Sequence, residues 1–275
     1  MTEETPQAQI IKFTCDKMVV GKLLVDILAE KSNLSKSLIK KLMMYGAVHQ
    51  TYKKKRKRIR KAKTKLNLGD VVECYFDPKI PLDHDYEFTP LYETKHYGIY
   101  LKPAGILSQG TDYGDKSSIF RHVEKLRKKA YLVNRLDKET EGLVIVAYDS
   151  RTQNFFQEMW KKGVTKKYQA IVLGELEEKG TFDFKINTKE STTHYECIKT
   201  IDNKSYVDIS IETGRKHQIR IHFSKAGFPV IGDPKYGKGN KNRDGLQLIS
   251  YLLEFTDPYT NKMVKVSLPK DRHLF

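Results

Sequence analysis

Acidic and basic side chains crowd into NRLDKETEGL, residues 134 to 143, between the short apolar runs YLV and LVIVAY. Asp137 has Arg135 two residues before it and Glu141 four after it. Residue types alone leave Asp137 open as a solvated turn charge, a metal ligand or a carboxylate nucleophile. A second concentration lies in ETGRKHQIRIHFSKAGFPVIGDPKYG, 212 to 237, where Arg215, His217, Gln218, Arg220 and His222 fall within eight residues. Read by itself, Arg220 is an arginine in a surface salt bridge, the commoner fate of that residue. A weaker feature is LKPAGIL, 101 to 107, where Lys102 precedes a proline and a glycine that close a strand.

Two histidines with carboxylates nearby are the usual ingredients of a metal site. His217 and His222 are five apart, on opposite faces of a strand and about 140° apart on a helix. Neither arrangement is the i,i+4 pair of a zinc helix, so a metal here would need other ligands and none is expected. In the same stretch Ile219, Ile221 and Phe223 alternate as in a strand, whereas AGFP is a helix ending, with Gly at the stop and Pro beyond it. The ending is favoured, and it predicts a helix over 216–226 with Lys216, Arg220 and Phe223 on one side.

The elements that must hold these residues follow from periodicity. YGIYL, YLV, LVIVAY, YQAIVL and YVDISI read as strands, and SRTQNFFQEMWKKG as a helix. Ser150 is its expected cap, Phe155, Phe156, Met159 and Trp160 its apolar face, and Gly163 its stop. Before them, Leu23, Leu24, Ile27 and Leu28 recur at helical spacing. Ser35 caps a second segment with Leu38, Ile39, Leu42 and Met43 on one face, and Gly46 stands at its end. LNLGDVVECYF alternates as a strand after a Gly69-Asp70 turn. Between them runs KKKRKRIRKAKTK, 53 to 65, with ten Lys or Arg and no acid. Its place between a capped helix and a strand favours a phosphate-contacting hairpin, with Lys53, Lys54, Lys55, Arg56, Lys57 and Arg58 touching RNA, over a charged tail. The run has no aromatic residue to stack on bases, so it positions nucleic acid without reading sequence. DPKIPLDHDYEFTP, 77 to 90, holds three prolines and reads as a linker.

Composition agrees with a nucleic-acid partner. Among 275 residues, 50 Lys and Arg stand against 34 Asp and Glu, a formal charge of +16, which favours a polyanion. No apolar run approaches the roughly 20 residues of a membrane-spanning helix. MTEETPQAQ is acidic and polar, unlike a signal or transit peptide. Three scattered cysteines, Cys15, Cys74 and Cys197, fit buried thiols in a reducing, cytoplasmic compartment.

NRLDKETEGL resembles the HRLDxxTSGL signature of RluA-type pseudouridine synthases. TGRKHQIRIHFSKAGFPVIGDPKYG is similar to that family's third motif, LKPAG to its first, and KKYQAIV to its K-x-Y-x-A element. LQLISYLLEFTDPYT is similar to its closing strand. The likeness runs in order from about Leu91 to Pro269. The preceding segment resembles the αL RNA-binding module first known from a small-subunit ribosomal protein. The resemblance implies an α+β fold whose catalytic domain is built on a mixed, mainly antiparallel sheet flanked by helices and loops, beside a small α+β RNA-binding domain. The expected division is 1–78 for the RNA-binding module with its N-terminal extension, 79–90 for the linker and 91–275 for the catalytic domain.

For chemistry, the resemblance implies cofactor-free isomerisation of uridine, with Asp137 as nucleophile, Arg220 as its cationic partner and Tyr168 as the active-site tyrosine. Arg135 corresponds to the arginine that enters RNA where the target base has flipped out, and Lys102, Arg215 and His217 are further expected RNA contacts. Two positions depart from the family pattern: Asn134 replaces its usual histidine and Glu141 its usual serine. If Glu141 faced Asp137, like-charge repulsion would raise the aspartate's pKa and weaken the nucleophile. The expected substrate is large-subunit ribosomal RNA, with transfer RNA as the alternative, and the expected state is a monomer. A catalytically silent RNA-binding protein and a metal-dependent nuclease are the competing readings.

Overall fold

The structure is a computed structural model and describes residues 7–80 and 86–275. The chain divides into two compact units, Met1–Glu87 with Gln109–His122, and Phe88–Ser108 with Val123–Phe275. Of the proline-rich stretch expected as a linker over 79–90, residues 81–85 lie outside the described ones. Among the described residues no helix is long and apolar enough to cross a membrane.

The first unit contains β1 (Gln9–Thr14), α1 (Leu24–Glu30), α2 (Lys36–Tyr45), β2 (Val48–Tyr52), β3 (Lys55–Arg58) and β4 (Val71–Phe76). Its strands form one antiparallel sheet in the order β1-β4-β2-β3. Ile27, Leu28, Ile39, Leu42 and Met43 from the helices share a core with Val48, Val72 and Cys74 from the sheet. The Ser35 hydroxyl accepts from Leu38 N at 3.2 Å, and Gly46 ends α2 in the left-handed region at φ 84°, as the sequence predicts. The basic run forms a hairpin across Lys53-Lys54, both left-handed, with Tyr52 opposite Lys55. That is the two-residue loop whose twist matches the flanking strands. Arg56 is drawn back to Asp112 at 2.7 Å and Glu73 at 3.1 Å. Arg58 donates to Gly46 O and to Thr111 O and pairs with Asp115. The exposed lysines 53, 54, 55 and 57 are therefore the outward-facing cations of the hairpin.

The second unit holds β5 (Pro90–Glu93), β6 (Tyr97–Lys102), β7 (Tyr131–Leu132), β8 (Glu141–Ala147), α4 (Ser150–Lys162), β9 (Val164–Leu173), β10 (Lys179–Phe182), β11 (Thr193–Ile201), β12 (Lys204–Ile211), α5 (Gln218–Lys225), β13 (Leu248–Thr256) and β14 (Met263–Ser267); α3 (Ile119–Arg127) is divided between the units after His122. The sheet order is β10-β11-β12-β9-β13-β8-β6-β5, with β14 on β13 and β7 on β8. Its ladders are antiparallel apart from a short parallel one between β13 and β8, so the fold is α+β on a mixed, mainly antiparallel sheet. Pro90 opens the edge strand β5, where its missing N–H is tolerated. β8 is buried on both faces after Glu141, which explains its continuous apolar run. At the parallel ladder Gly142 has φ 140°, and a Cβ there would lie 2.6 Å from Ser250 N and Cβ. Glycine lets the strand that leaves the Asp137 loop press against the strand facing Tyr168.

Two helix boundaries differ from the sequence expectation. Asp149, not Ser150, caps α4: its carboxylate accepts from Thr152 N and Oγ1, each at 2.8 Å. The helix expected over 216–226 begins at Gln218, because His217 sits left-handed at φ 57° and cannot continue an α-helix. Lys216 consequently lies outside the helix and exposed, while Arg220 and Phe223 turn into the core.

Candidate active site

The loop bearing Asp137 is held from both sides before any charge is considered. The Asn134 amide accepts from Ile145 N at 2.8 Å and donates to Leu143 O at 3.1 Å. It thereby substitutes for a strand backbone against β8, a task that needs donor and acceptor side by side. Leu136 N and O both bond the Ser108 hydroxyl at 2.9 Å. The ammonium of Lys102 donates to Pro103 O, Ile106 O and Lys138 O at 2.8, 2.8 and 3.2 Å. This corrects the expectation that Lys102 touches RNA. It is fully buried, its three hydrogens are taken by carbonyls of two turns, and burial lowers its pKa to about 8. It is a clamp on the Asp137 loop.

Arg220 approaches from α5 with 2% of its surface exposed. Its Nε and Nη2 bond the two oxygens of Asp233, each at 2.8 Å. Nη1 then reaches Asp137 Oδ2 at 3.0 Å and Glu139 Oε2 at 3.5 Å. Asp233 is wholly buried and also accepts from Lys235 N and Tyr236 N. Burial pushes the Asp233 carboxyl up, but the guanidinium and the two amides hold it below the usual carboxylate range. A bidentate pair of this kind fixes the guanidinium plane, so the third nitrogen is aimed at Asp137. Asp137 keeps 22% of its side chain accessible.

Tyr168 lies on β9 opposite Ser250 and lines the same cleft as Arg135, Asp137, Arg215, His217 and Arg220. Burial raises its phenol to about 12, with Ser250 opposing and the negative Asp137 adding to the rise. At neutral pH the ionised fraction is on the order of 10⁻⁵, so Tyr168 offers a ring face and a neutral hydroxyl. Arg135 is exposed, and Arg215 donates through Nε to Glu190 O at 3.0 Å. His217 meets Tyr236 Oη through Nδ1 at 2.9 Å. His222, by contrast, is buried beside Ser191 and Phe184 O, so the two histidines serve different places.

Glu141 pairs with Arg272 at 3.5 Å, and it is Glu139 that shares Arg220 with Asp137. Three residues that complete the site escape a reading by type and spacing. Asp233 reads as part of a Gly-Asp-Pro turn and Tyr236 as a loop aromatic. Gln218 ties α5 to β11 through Thr192 O and Thr193 Oγ1.

The fold and this carboxylate–guanidinium cleft define a class. Residues 96–225 match the family of RNA pseudouridylate synthases. The chain is 30% identical to ribosomal large subunit pseudouridine synthase D of Nitrosomonas europaea, over 68% of this chain and 65% of that protein. It is 32% identical to synthase D of Pseudomonas aeruginosa, over 57% and 55%. The chain thus spans between half and two thirds of the length of these relatives. Ribosomal large subunit pseudouridine synthase C of Escherichia coli is 27% identical over 100% of this chain and 97% of its own. The human RNA pseudouridylate synthase domain containing 4 shares the fold, with a TM-score of 0.56 and 21% identity over 66% of this chain and 89% of that one.

Proposed function

We propose that the protein is an RNA pseudouridine synthase, and that Asp137 is its nucleophile. The observation that carries this is the buried Arg220, locked by Asp233 and presenting one nitrogen to a partly exposed Asp137 beneath Tyr168. Arg220 pairs its Nη1 with Asp137 Oδ2 at 3.0 Å, leaving Oδ1 to attack. Attack of Oδ1 on C1′ forms a C–O bond as the C1′–N1 bond breaks; the freed base turns against the Tyr168 ring, and C5 then attacks C1′, forming the C–C bond and expelling the Asp137 carboxylate. C5 loses its hydrogen and N1 gains one. Arg135 is suited to fill the RNA stack behind the flipped nucleotide, where a planar cation offsets lost stacking. The reaction needs neither metal nor cofactor.

The test is tritium release from RNA labelled at C5 of uridine: release at a rate tied to enzyme concentration supports the reading, and its absence with every RNA tried refutes it. Large-subunit ribosomal RNA is the substrate we favour, because the relatives are ribosomal large subunit pseudouridine synthases, and a cytoplasmic location goes with it. Pseudouridine maps of ribosomal and transfer RNA, with and without the protein, separate the two. A silent RNA-binding protein would need Glu141 set against Asp137, and its pairing with Arg272 speaks for activity.

For the first unit we infer an αL-type RNA-binding role, acting as a monomer, in which Lys53, Lys54, Lys55 and Lys57 meet phosphates while Arg56 and Arg58 brace the hairpin. Replacing the four lysines by Gln is expected to weaken RNA binding and flatten its salt dependence by about 0.7–0.9 log units of slope per lost contact. An unchanged slope in filter binding would make the hairpin tip a bystander.

A further inference from the structure

Arg220 occupies one oxygen of Asp137. The other, Oδ1, faces His217 Nε2 at 3.6 Å. His217 reaches this place through a left-handed backbone at φ 57° and ψ 25°, and its side chain makes no capping bond to α5. Non-glycine residues adopt that region uncommonly, and a side-chain cap on α5 does not account for it here. Its ring is held by Tyr236, whose Oη lies 2.9 Å from Nδ1. Tyr236 is itself fixed: its N–H donates to Asp233 Oδ1, its carbonyl accepts from the Ser224 hydroxyl, and its ring lies under Arg220 at 5.4 Å. With the phenol donating into Nδ1, the imidazole proton sits on Nε2, 3.6 Å from Oδ1 and one small shift from hydrogen-bond length. The opposite tautomer would set a nitrogen lone pair against Oδ1.

We propose that His217 is a positioning residue for the nucleophile: Tyr236 selects its Nε2–H tautomer, and that N–H orients Asp137 Oδ1 while Arg220 holds Oδ2. The inference rests on the reading of Asp137 as nucleophile. The charged groups around His217 are Asp137 from the 134–140 loop, Arg220 on α5, and Lys216 and Lys235 from the flanking turns. Burial lowers the pKa of His217, Asp137 opposes this, and the three cations reinforce it. The imidazole is therefore neutral at physiological pH. Below its lowered pKa the imidazolium pairs with Oδ1 and quenches the attacking oxygen, so activity falls on the acid side at a pH below the ordinary histidine range.

The full chain provides the test. His217→Phe keeps ring and volume without the N–H, and is expected to lower kcat by about 10²-fold, the scale of a misplaced reacting group, with KM little changed. His217→Gln restores an N–H without a group that titrates, and is expected to recover most of kcat and to lose the acid limb. A Phe variant with the unsubstituted kcat and pH profile, or a Gln variant as impaired as Phe, overturns the proposal. A second readout needs no turnover. Imidazole ¹⁵N shifts are expected to show a protonated Nε2 and an accepting Nδ1, and the His217 titration to move down in Asp137→Asn. The reverse tautomer, or an unmoved titration, overturns the contact. Failure of the unsubstituted chain to release tritium would instead overturn the synthase reading on which the role depends.

Discussion

Asp137→Asn is expected to release no tritium from C5-labelled RNA, a loss of at least ~10³-fold, while the protein stays folded. Asparagine matches the volume of aspartate and its amide oxygen can still accept from Arg220 Nη1, which reaches Oδ2 at 3.0 Å. What disappears is the negative, nucleophilic oxygen. A loss of ~10³ corresponds to about 4 kcal/mol of transition-state stabilisation, and covalent catalysis has no substitute for the group that forms the bond. Stability should change by less than ~1 kcal/mol, because the residue is partly exposed. Arg220 also keeps its bidentate partner Asp233 and its longer contact to Glu139. Denaturant unfolding beside the tritium assay separates the two effects. Tritium release near the unsubstituted rate would remove Asp137 from the chemistry.

The parts of this fold that were legible in sequence are those set by local chemistry. Ser35 and Gly46 mark α2 because a cap oxygen and a left-handed glycine are needed there whatever surrounds the helix. The run LVIVA announces a strand buried on both faces. The misplaced boundaries are also local: Asp149 rather than Ser150 caps α4, and the left-handed backbone of His217 starts α5 one residue later. Burial of a charge was not legible. Lys102 has the residue type of an RNA contact, and only the convergence of two turns shows its ammonium enclosed by carbonyls. The concern over Glu141 had the same origin. As the first residue of β8 its direction is set by pairing with β13, whereas Glu139, in the turn before it, swings to Arg220. Resemblance located Asp137, Tyr168 and Arg220. The clamps that make them a site (Lys102, Asn134 and Asp233) came from tertiary structure.

The second large effect is expected at Arg220, and it separates what the arginine does for the fold from what it does for the chemistry. Arg220→Met should abolish tritium release and also destabilise the protein by about 3–5 kcal/mol, because it leaves the wholly buried Asp233 charge without its cation. The pH dependence should then change sign. In the unsubstituted protein Asp233 has a lowered pKa, so its stabilising contribution is complete above the unfolded value near 4 and is lost as pH falls through the lower folded value. Between pH 7 and 5 it is constant. Without Arg220, burial dominates and raises that pKa, so Arg220→Met should gain stability as pH drops from 7 to 5. Adding Asp233→Asn removes the stranded charge, and the amide oxygen can still accept from Lys235 N and Tyr236 N, which now bond Asp233 Oδ1. The double variant should therefore recover roughly 2 kcal/mol or more of the loss, since the uncompensated buried charge is the main cost, and lose the acid-side gain. It should remain inactive, because nothing then faces Asp137 Oδ2. A double variant no more stable than Arg220→Met would show that Asp233 is not the reason the arginine is buried. A double variant that releases tritium would show that Asp137 needs no cation.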